Sequence, residues 1–211
     1  MIHLRKPRRL IVATLLVATA TLSFMRQGVD KIQPIDPQPL QTQLQSVQAQ
    51  ADELTFALTE DLTALKARQH AYDLAAQAGT DSSLVDFAWE ESTKAGLDPL
   101  LVLAVIEQES NWNATLTHRN TDGSTDGGLG QINSRTWPSL AKTLGLKDPL
   151  DPKDNIKATV YHLAYLSRQY RTTDAILTSY NRGEAGLRNW YASRGTVRSP
   201  YSDEVQRRMY R

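Results

Sequence analysis

The stretch DPLLVLAVIEQESNWN, residues 98–113, limits the possible folds more than any other part of the chain. Asp98 followed by Pro99 is a helix start. The aspartate side chain can accept from the free N–H groups of a first turn, and proline at the first helical position lacks an N–H that would have no partner there. From Leu100 to Ile106 every residue is apolar. A helix that is apolar all round has no face for water, so it must be central, with the rest of a domain wrapped around it. This helix ends in two carboxylates, Glu107 and Glu109, about 200° apart on a helical wheel. Glu109 follows Ile106 by three residues and Val105 by four, so it projects along the apolar side. Glu107 shares a face with Leu103 and Ala104, which a central helix can bury as well. Spacing alone makes Glu109 a candidate without deciding the matter. A carboxyl at the wet end of such a helix has its charged form disfavoured by desolvation and by the negative helix terminus. It can stay protonated near neutral pH and act as a general acid. A capping or salt-bridged glutamate is the plain alternative.

The flanking segments are also helical. SLVDFAWEESTKAG stops at Gly96. A second Asp-Pro start, Asp151-Pro152, opens DPKDNIKATVYHLAYLSRQY, with Ile156, Val160, Leu163, Leu166 and Tyr170 on its buried face. TDAILTSYNRG predicts a shorter helix stopped at Gly183, and Ser199-Pro200 starts a last one. Between them, NATLTHRNTDGSTDGGLG is turn-rich and can hold a short hairpin. The expected fold class is mainly α, or α+β with the sheet very small, over residues 82–211.

Upstream, Arg5, Lys6, Arg8 and Arg9 precede an apolar run from Leu10 to Met25. That is the pattern of a secretory signal or an N-terminal membrane anchor over residues 1–27. Ala18-Thr19-Ala20 fits a cleavage site, whereas Leu22, Phe24 and Met25 prolong the apolar run beyond it. Either way the remainder is expected outside the cytoplasm. Residues 28–40 are Pro- and Gln-rich and read as a spacer. From Leu40 the spacing changes: Leu40, Leu44, Val47, Ala51, Leu54 and Leu58 follow one another by alternating steps of four and three. That is a heptad seam, and it degrades at Asp61. Residues 41–78 are therefore expected as a helix. It would form a short coiled coil or pack on a neighbour, with residues 40–72 available for self-association or for a partner in an envelope machine.

Composition narrows the function. A net charge of +1 argues against a dedicated nucleic-acid binder. With no cysteine, the chain has no disulfide, zinc finger or thiol nucleophile. Trp112, Trp137, Tyr161, Tyr165, Trp190 and Tyr191 are candidates for stacking on sugar rings, with Trp137 and Trp190 in the most polar surroundings. His118 reads as a loop residue and His162 as a helix-surface residue. Asn120, Asp122 and Ser124 alternate as in a calcium loop. Thr125 stands where such a loop needs Gly, and Gln131 where it needs Glu, so no metal is assigned.

Three motifs occur in order: ESNWN, then GGLGQIN at 127–133, then TSYNRG at 178–183. Together with the DPKDNIKAT helix between them they resemble the soluble-transglycosylase-like domain of lytic transglycosylases in the lysozyme superfamily, over roughly residues 85–210. The resemblance implies a lysozyme-like fold with a glycan cleft. It also implies cleavage of the β-1,4 bond between N-acetylmuramic acid and N-acetylglucosamine in peptidoglycan strands, leaving 1,6-anhydro ends, without cofactor or metal. Carried over by residue, Glu109 matches the catalytic acid/base. Ser110 matches its neighbour that orients acid or substrate, Gln131 a sugar-binding amide, and Tyr180 and Asn181 residues lining the site.

This sequence departs from that pattern in three places. Gly130 stands where the family often has Met. Glu109 and Gln131 are 22 residues apart, as in the subset serving secretion and conjugation machines. In PYSDEV, Val205 is kept while Glu204 stands where a tyrosine is expected, which makes Glu204 a further site candidate. Hydrolysis by two carboxylates is the alternative chemistry, with Asp122 or Asp126 as the second; turn stabilisation is the plain reading of both. A non-catalytic wall-binding or assembly subunit is the rival class.

Overall fold

A computed structural model describes residues 37–210. The signal or anchor segment, 1–27, and most of the spacer lie outside the described residues. Among the described residues no helix is long and apolar enough to cross a membrane. The described chain divides into two units, which part between residues 53 and 54.

Seven helices and a small sheet make up the described chain. Helix α1 runs Pro37–Gln77, then come α2 (Ser83–Lys94), α3 (Pro99–Ser110), β1 (Thr117–Arg119), β2 (Thr125–Gly127) and β3 (Ile132–Asn133). Helices α4 (Trp137–Leu144), α5 (Pro152–Gln169), α6 (Thr173–Arg194) and α7 (Pro200–Met209) follow. The spacer thus gives way to helix at Pro37, earlier than its composition predicts. Pro37 and Pro39 lie in a first turn, where no intrahelical N–H bond is made, so neither opposes helix there. The later part of α1 packs on its own domain. Ala71 and Ala75 are buried in the core, so the domain begins before residue 82.

Helix α3 is the centre of the second unit. Asp98 caps it through the Leu100 N–H at 2.9 Å, with Pro99 in the first turn. Every residue from Leu101 to Glu107 is buried. It packs against α2, α5 and α7, and α6 packs against α5 and α7. A smaller apolar cluster of Ile132, Leu140, Leu146 and Ala158 joins the sheet, α4 and α5. Helix α4 was not expected; Pro138 in its first turn and Gly145, in the left-handed region at its C-cap, mark its ends.

The turn-rich segment forms a three-stranded antiparallel sheet in the order β1-β2-β3, with Asp126 opposite His118 on one side and Asn133 on the other. Helix α6 continues to Arg194 instead of ending at Gly183, but Gly183 has φ 70° and ψ 164° and breaks it into two helical pieces. The sequence marks the break correctly and misses the helix beyond it.

Candidate active site

A cleft of about 760 Å³ opens beside the C-terminal end of α3, and Glu109, Asp126, Gln131, His162, Tyr180 and Asn181 are among its lining residues. Glu109 sits on the last turn of α3. Burial pushes its carboxyl up to about 7; a hydrogen bond from Tyr201 opposes that rise and the charge of Asp126 adds to it. The Tyr201 hydroxyl donates directly to Glu109. Burial and the nearby carboxylate raise the Tyr201 phenol well above its ordinary value, so it keeps its proton and remains a donor. A capping box of Ser199 and Ser202 fixes the first turn of α7 and so places Tyr201.

The chain leaves α3 through two residues in the left-handed region, Asn111 with φ 47° and Trp112 with φ 63°. Such backbone costs roughly 1–3 kcal/mol per residue and persists only where the surroundings impose it. Here the Trp112 side chain is fully buried in the core, and its burial holds the strained turn next to the acid.

Glu107 belongs to a different arrangement. It is buried and ion-paired with Arg208 of α7, with the His70 ring of α1 3.3 Å away. Arg208 also donates to Gln108 at 2.9 Å and pairs with Glu204 at 2.9 Å. This network fastens α7 to α3, and α7 in turn carries Tyr201.

Asp126 faces the same cleft from β2. Its two oxygens accept from Asn120 Nδ2 at 2.9 Å and Asn133 Nδ2 at 2.6 Å. Those bonds orient the carboxylate. Asp122 also borders the cleft, but its carboxylate is taken up by Ser124 and an ion pair with Arg135. The plain reading, turn stabilisation, describes Asp122 well. Asp126 is the one whose hydrogen-bonding partners aim it beside Glu109.

The segment from Gly127 to Gln131 is held on both sides. From α3, the buried Ser110 hydroxyl lies 2.9 Å from the Leu129 carbonyl and 3.1 Å from that of Ile106. From α5, the fully buried Asn155 accepts from the Gly130 N–H at 2.8 Å and donates to the carbonyls of Gly127 and Pro149. A β-carbon at Gly128 would overlap the Asn155 amide, and one at Gly130 would overlap the Thr159 hydroxyl. The absence of Met at position 130 therefore leaves no gap, because Thr159 already stands there. Gln131 lies in the cleft with φ 48°, its amide nitrogen donating to the carbonyls of Leu116 and Gly128. Tyr180 donates to the Gly130 carbonyl at 2.7 Å, and burial raises its phenol far above the ordinary range.

Several expectations are corrected. Ser110 is buried and bonded to backbone, so it anchors the loop and does not present its hydroxyl to a sugar. Glu204 is ion-paired with Arg207 and Arg208 outside the cleft lining. Tyr201, one helical turn earlier, is the α7 residue that hydrogen-bonds Glu109. Trp137 starts α4 and packs on the smaller apolar cluster, as does Tyr161, away from the cleft lining. Trp190 lies under the Arg182 guanidinium and donates to the Arg198 carbonyl. Trp112 is core, Tyr165 donates to Glu184, and Tyr191 is exposed outside the cleft lining. His162, expected on a helix surface, lines the cleft with its ring 5.3 Å from Tyr180. Burial pushes its imidazole below the ordinary value, which keeps it neutral near pH 7. Sequence reasoning missed Asn155 and Tyr201. Asn155 carries a faint signal, as a polar residue beside Ile156 on the helix flank shared with Thr159.

The profile of the Transglycosylase SLT domain matches residues 86–200, more than half of the chain. The chain belongs to the transglycosylase SLT domain family. Over 40 residues, 19% of this chain, it is 55% identical to lysozyme C of Crax fasciolata, of which that stretch is 31%. It is 55% identical over 40 residues to lysozyme C II of Oncorhynchus mykiss as well, covering 28% of that protein. Among solved structures, the 70 kDa soluble lytic transglycosylase of Escherichia coli aligns with a TM-score of 0.45 at 23% identity, over 59% of this chain and 22% of that one. An inactive mutant of the lytic transglycosylase Slt of Pseudomonas aeruginosa aligns with a TM-score of 0.45 at 19% identity, over 59% of this chain and 21% of that one. The chain thus spans under a third of the length of each of these proteins.

Proposed function

We propose that this chain cleaves the β-1,4 bond between N-acetylmuramic acid and N-acetylglucosamine in peptidoglycan, with Glu109 as general acid and then base. The observation that carries the reading is a desolvated carboxyl, pushed up to about 7, at the wall of a cleft in a transglycosylase SLT domain. Protonated Glu109 donates to the glycosidic oxygen as the bond to C1 breaks. The resulting carboxylate then takes the proton from the muramoyl C6 hydroxyl as that oxygen bonds to C1. The products are a free hydroxyl on the leaving sugar and a 1,6-anhydro-muramoyl end, and Glu109 is protonated again. Tyr201 steadies the carboxylate in the charged half of the cycle. Gln131, Tyr180 and Asn181 shape the sugar site, the first two by holding the glycine-rich wall.

A specific observation favours a second reading of the same bond cleavage. Asp126 is oriented by Asn120 and Asn133, and its charge acts on Glu109. One desolvated carboxyl and one hydrogen-bonded carboxylate in one cleft suit the two-carboxylate hydrolysis of glycosides. On that reading Asp126 faces the developing positive charge at C1, water supplies the oxygen, and the product is a reducing end.

The experiment is digestion of purified peptidoglycan followed by mass spectrometry of the released fragments. The anhydro product is lighter than the hydrolysed one by one water. Glu109→Gln should abolish release in either case while the variant stays folded. Undiminished release would refute the assignment and favour the rival class of a non-catalytic wall-binding subunit. The placement proposed with this function is outside the cytoplasmic membrane, attached or exported by residues 1–27. Protease protection of residues 40–211 in intact cells tests it, and a cytoplasmic location would overturn it.

A further inference from the structure

The first two thirds of α1 takes no part in the cleft. Its last third is covered by its own domain: Ala71 and Ala75 are buried, and Arg68 and Tyr72 both donate to Asp86 of α2. Ahead of that, Leu40, Leu44, Val47, Leu54, Leu58 and Leu65 are each 46–68% exposed. All six fall on one seam of the continuous helix Pro37–Gln77. A stripe that repeats every seven residues is buried along its whole length only by another helix of the same repeat, which sets knobs into holes.

We infer that this seam, from Leu40 to Leu65, is closed by the same seam of a second copy of the chain, as a two-stranded coiled coil. The residues flanking the seam are Gln41, Gln48, Thr55 and Leu62 on one side and Gln43, Gln50, Ala57 and Ala64 on the other. None carries a charge, so two identical helices meet no like-charge repulsion at the positions that set partner choice. An unlike partner chosen by complementary charge finds nothing there to read. Lipid is a poor occupant for a related reason. Residues 37–65 contain Asp52, Glu53, Glu60 and Asp61 and no Lys or Arg. Helices lying on anionic membranes depend on cations along their polar face.

The size of the seam sets the strength of the contact. Its 26 residues rise about 39 Å, and a strip one helix wide is then roughly 400 Å² in projection on each copy. That is at the small end against roughly 800 Å² per partner for a standard stable interface. A contact of that size is expected to be reversible and to depend on concentration. Asp61 interrupts the seam and limits its strength towards the domain.

The test is sedimentation equilibrium of the full chain in a non-ionic detergent, across about two decades of micromolar concentration. The wild type should pass from one copy to two. Leu44→Glu combined with Leu58→Glu should weaken association at least tenfold. Phe56→Glu, at a residue 64% exposed but off the seam, should leave association unchanged. Peptidoglycan cleavage should be the same in all three proteins, so loss of dimer and loss of the proposed activity are separate results. A single copy at all concentrations would overturn the inference. So would a dimer that the double variant leaves intact, which would place the contact outside the seam, or equal weakening by Phe56→Glu, which would mean unspecific adhesion.

Discussion

Helices α1 and α3 invert the usual relation between pattern and burial. Along α1 the apolar residues are regularly spaced, yet the first six large ones on the seam are exposed in the monomer. Along α3 no period is visible, and all residues from Leu101 to Glu107 are buried. Regular spacing shows that a face exists to be covered, without saying by what. The absence of any polar face leaves only one location, the middle of the domain. This difference carries over to chemistry. The carboxyl at the end of α3 is desolvated by its own helix and neighbours, whereas Asp52, Glu53, Glu60 and Asp61 of α1 are exposed to solvent.

The contrast can be broken or sharpened in four ways. The largest effect belongs to Glu109→Gln, expected to lower peptidoglycan cleavage by about 10²–10⁴, the usual contribution of a general acid or base; turnover assays with purified wall material check it. Next is packing. Ile106→Ala in α3 should destabilise the domain by about 2–5 kcal/mol, whereas Leu54→Ala on the seam of α1 should change it by less than about 0.5 kcal/mol under conditions where the chain is monomeric. Urea unfolding followed by tryptophan fluorescence distinguishes them, and similar losses would erase the difference between the two helices.

The third effect concerns pH. The folded value of Glu109, about 7, lies above its ordinary 4.5, so between those values the unfolded chain loses its proton first. Stability from this group is complete below about 4.5 and disappears as pH rises through about 7, a change of roughly 3 kcal/mol at 1.36 kcal/mol per unit. Glu109→Gln lacks this dependence, so relative to the wild type it should gain stability on going from pH 4 to pH 8; the difference between the two unfolding curves measures it. The smallest effect is that of Tyr201→Phe. Its hydroxyl lowers the Glu109 value, so removing it should move the alkaline limb of the pH–rate profile upward from about 7. A limb moving downward would mean that Tyr201 does not steady the charged acid.

Much of this domain was legible in the chain. The Asp98 and Asp151 starts act through side chains two and three residues from the backbone groups they cap. The left-handed Gly183 break is equally local. The choice between Glu107 and Glu109 needed more than spacing, and it was the ordered motifs that favoured Glu109. The same resemblance made Glu204 a site candidate and overlooked Tyr201. Tyr201 reaches Glu109 from 92 positions away, and no periodicity on either helix records that distance. His162 was misjudged and Asn155 missed for the same reason: the first meets Tyr180 of α6, and the second bonds the loop at Gly127 and Gly130, only after folding.

The sequence by itself determined that α3 is buried, that a carboxyl ends it, that glycines follow where the wall passes close to other chain segments, and that α1 carries an apolar seam. Those are consequences of side-chain chemistry within a few residues. Only the tertiary structure decided which carboxylate accompanies Glu109, which phenol steadies it, and that Thr159 fills the space beside Gly130. It also decided that Glu107 belongs to the Arg208 network that holds α7 in place. Each of these is a meeting of residues far apart in the chain, and the free energy that selects them comes from burying the whole domain at once.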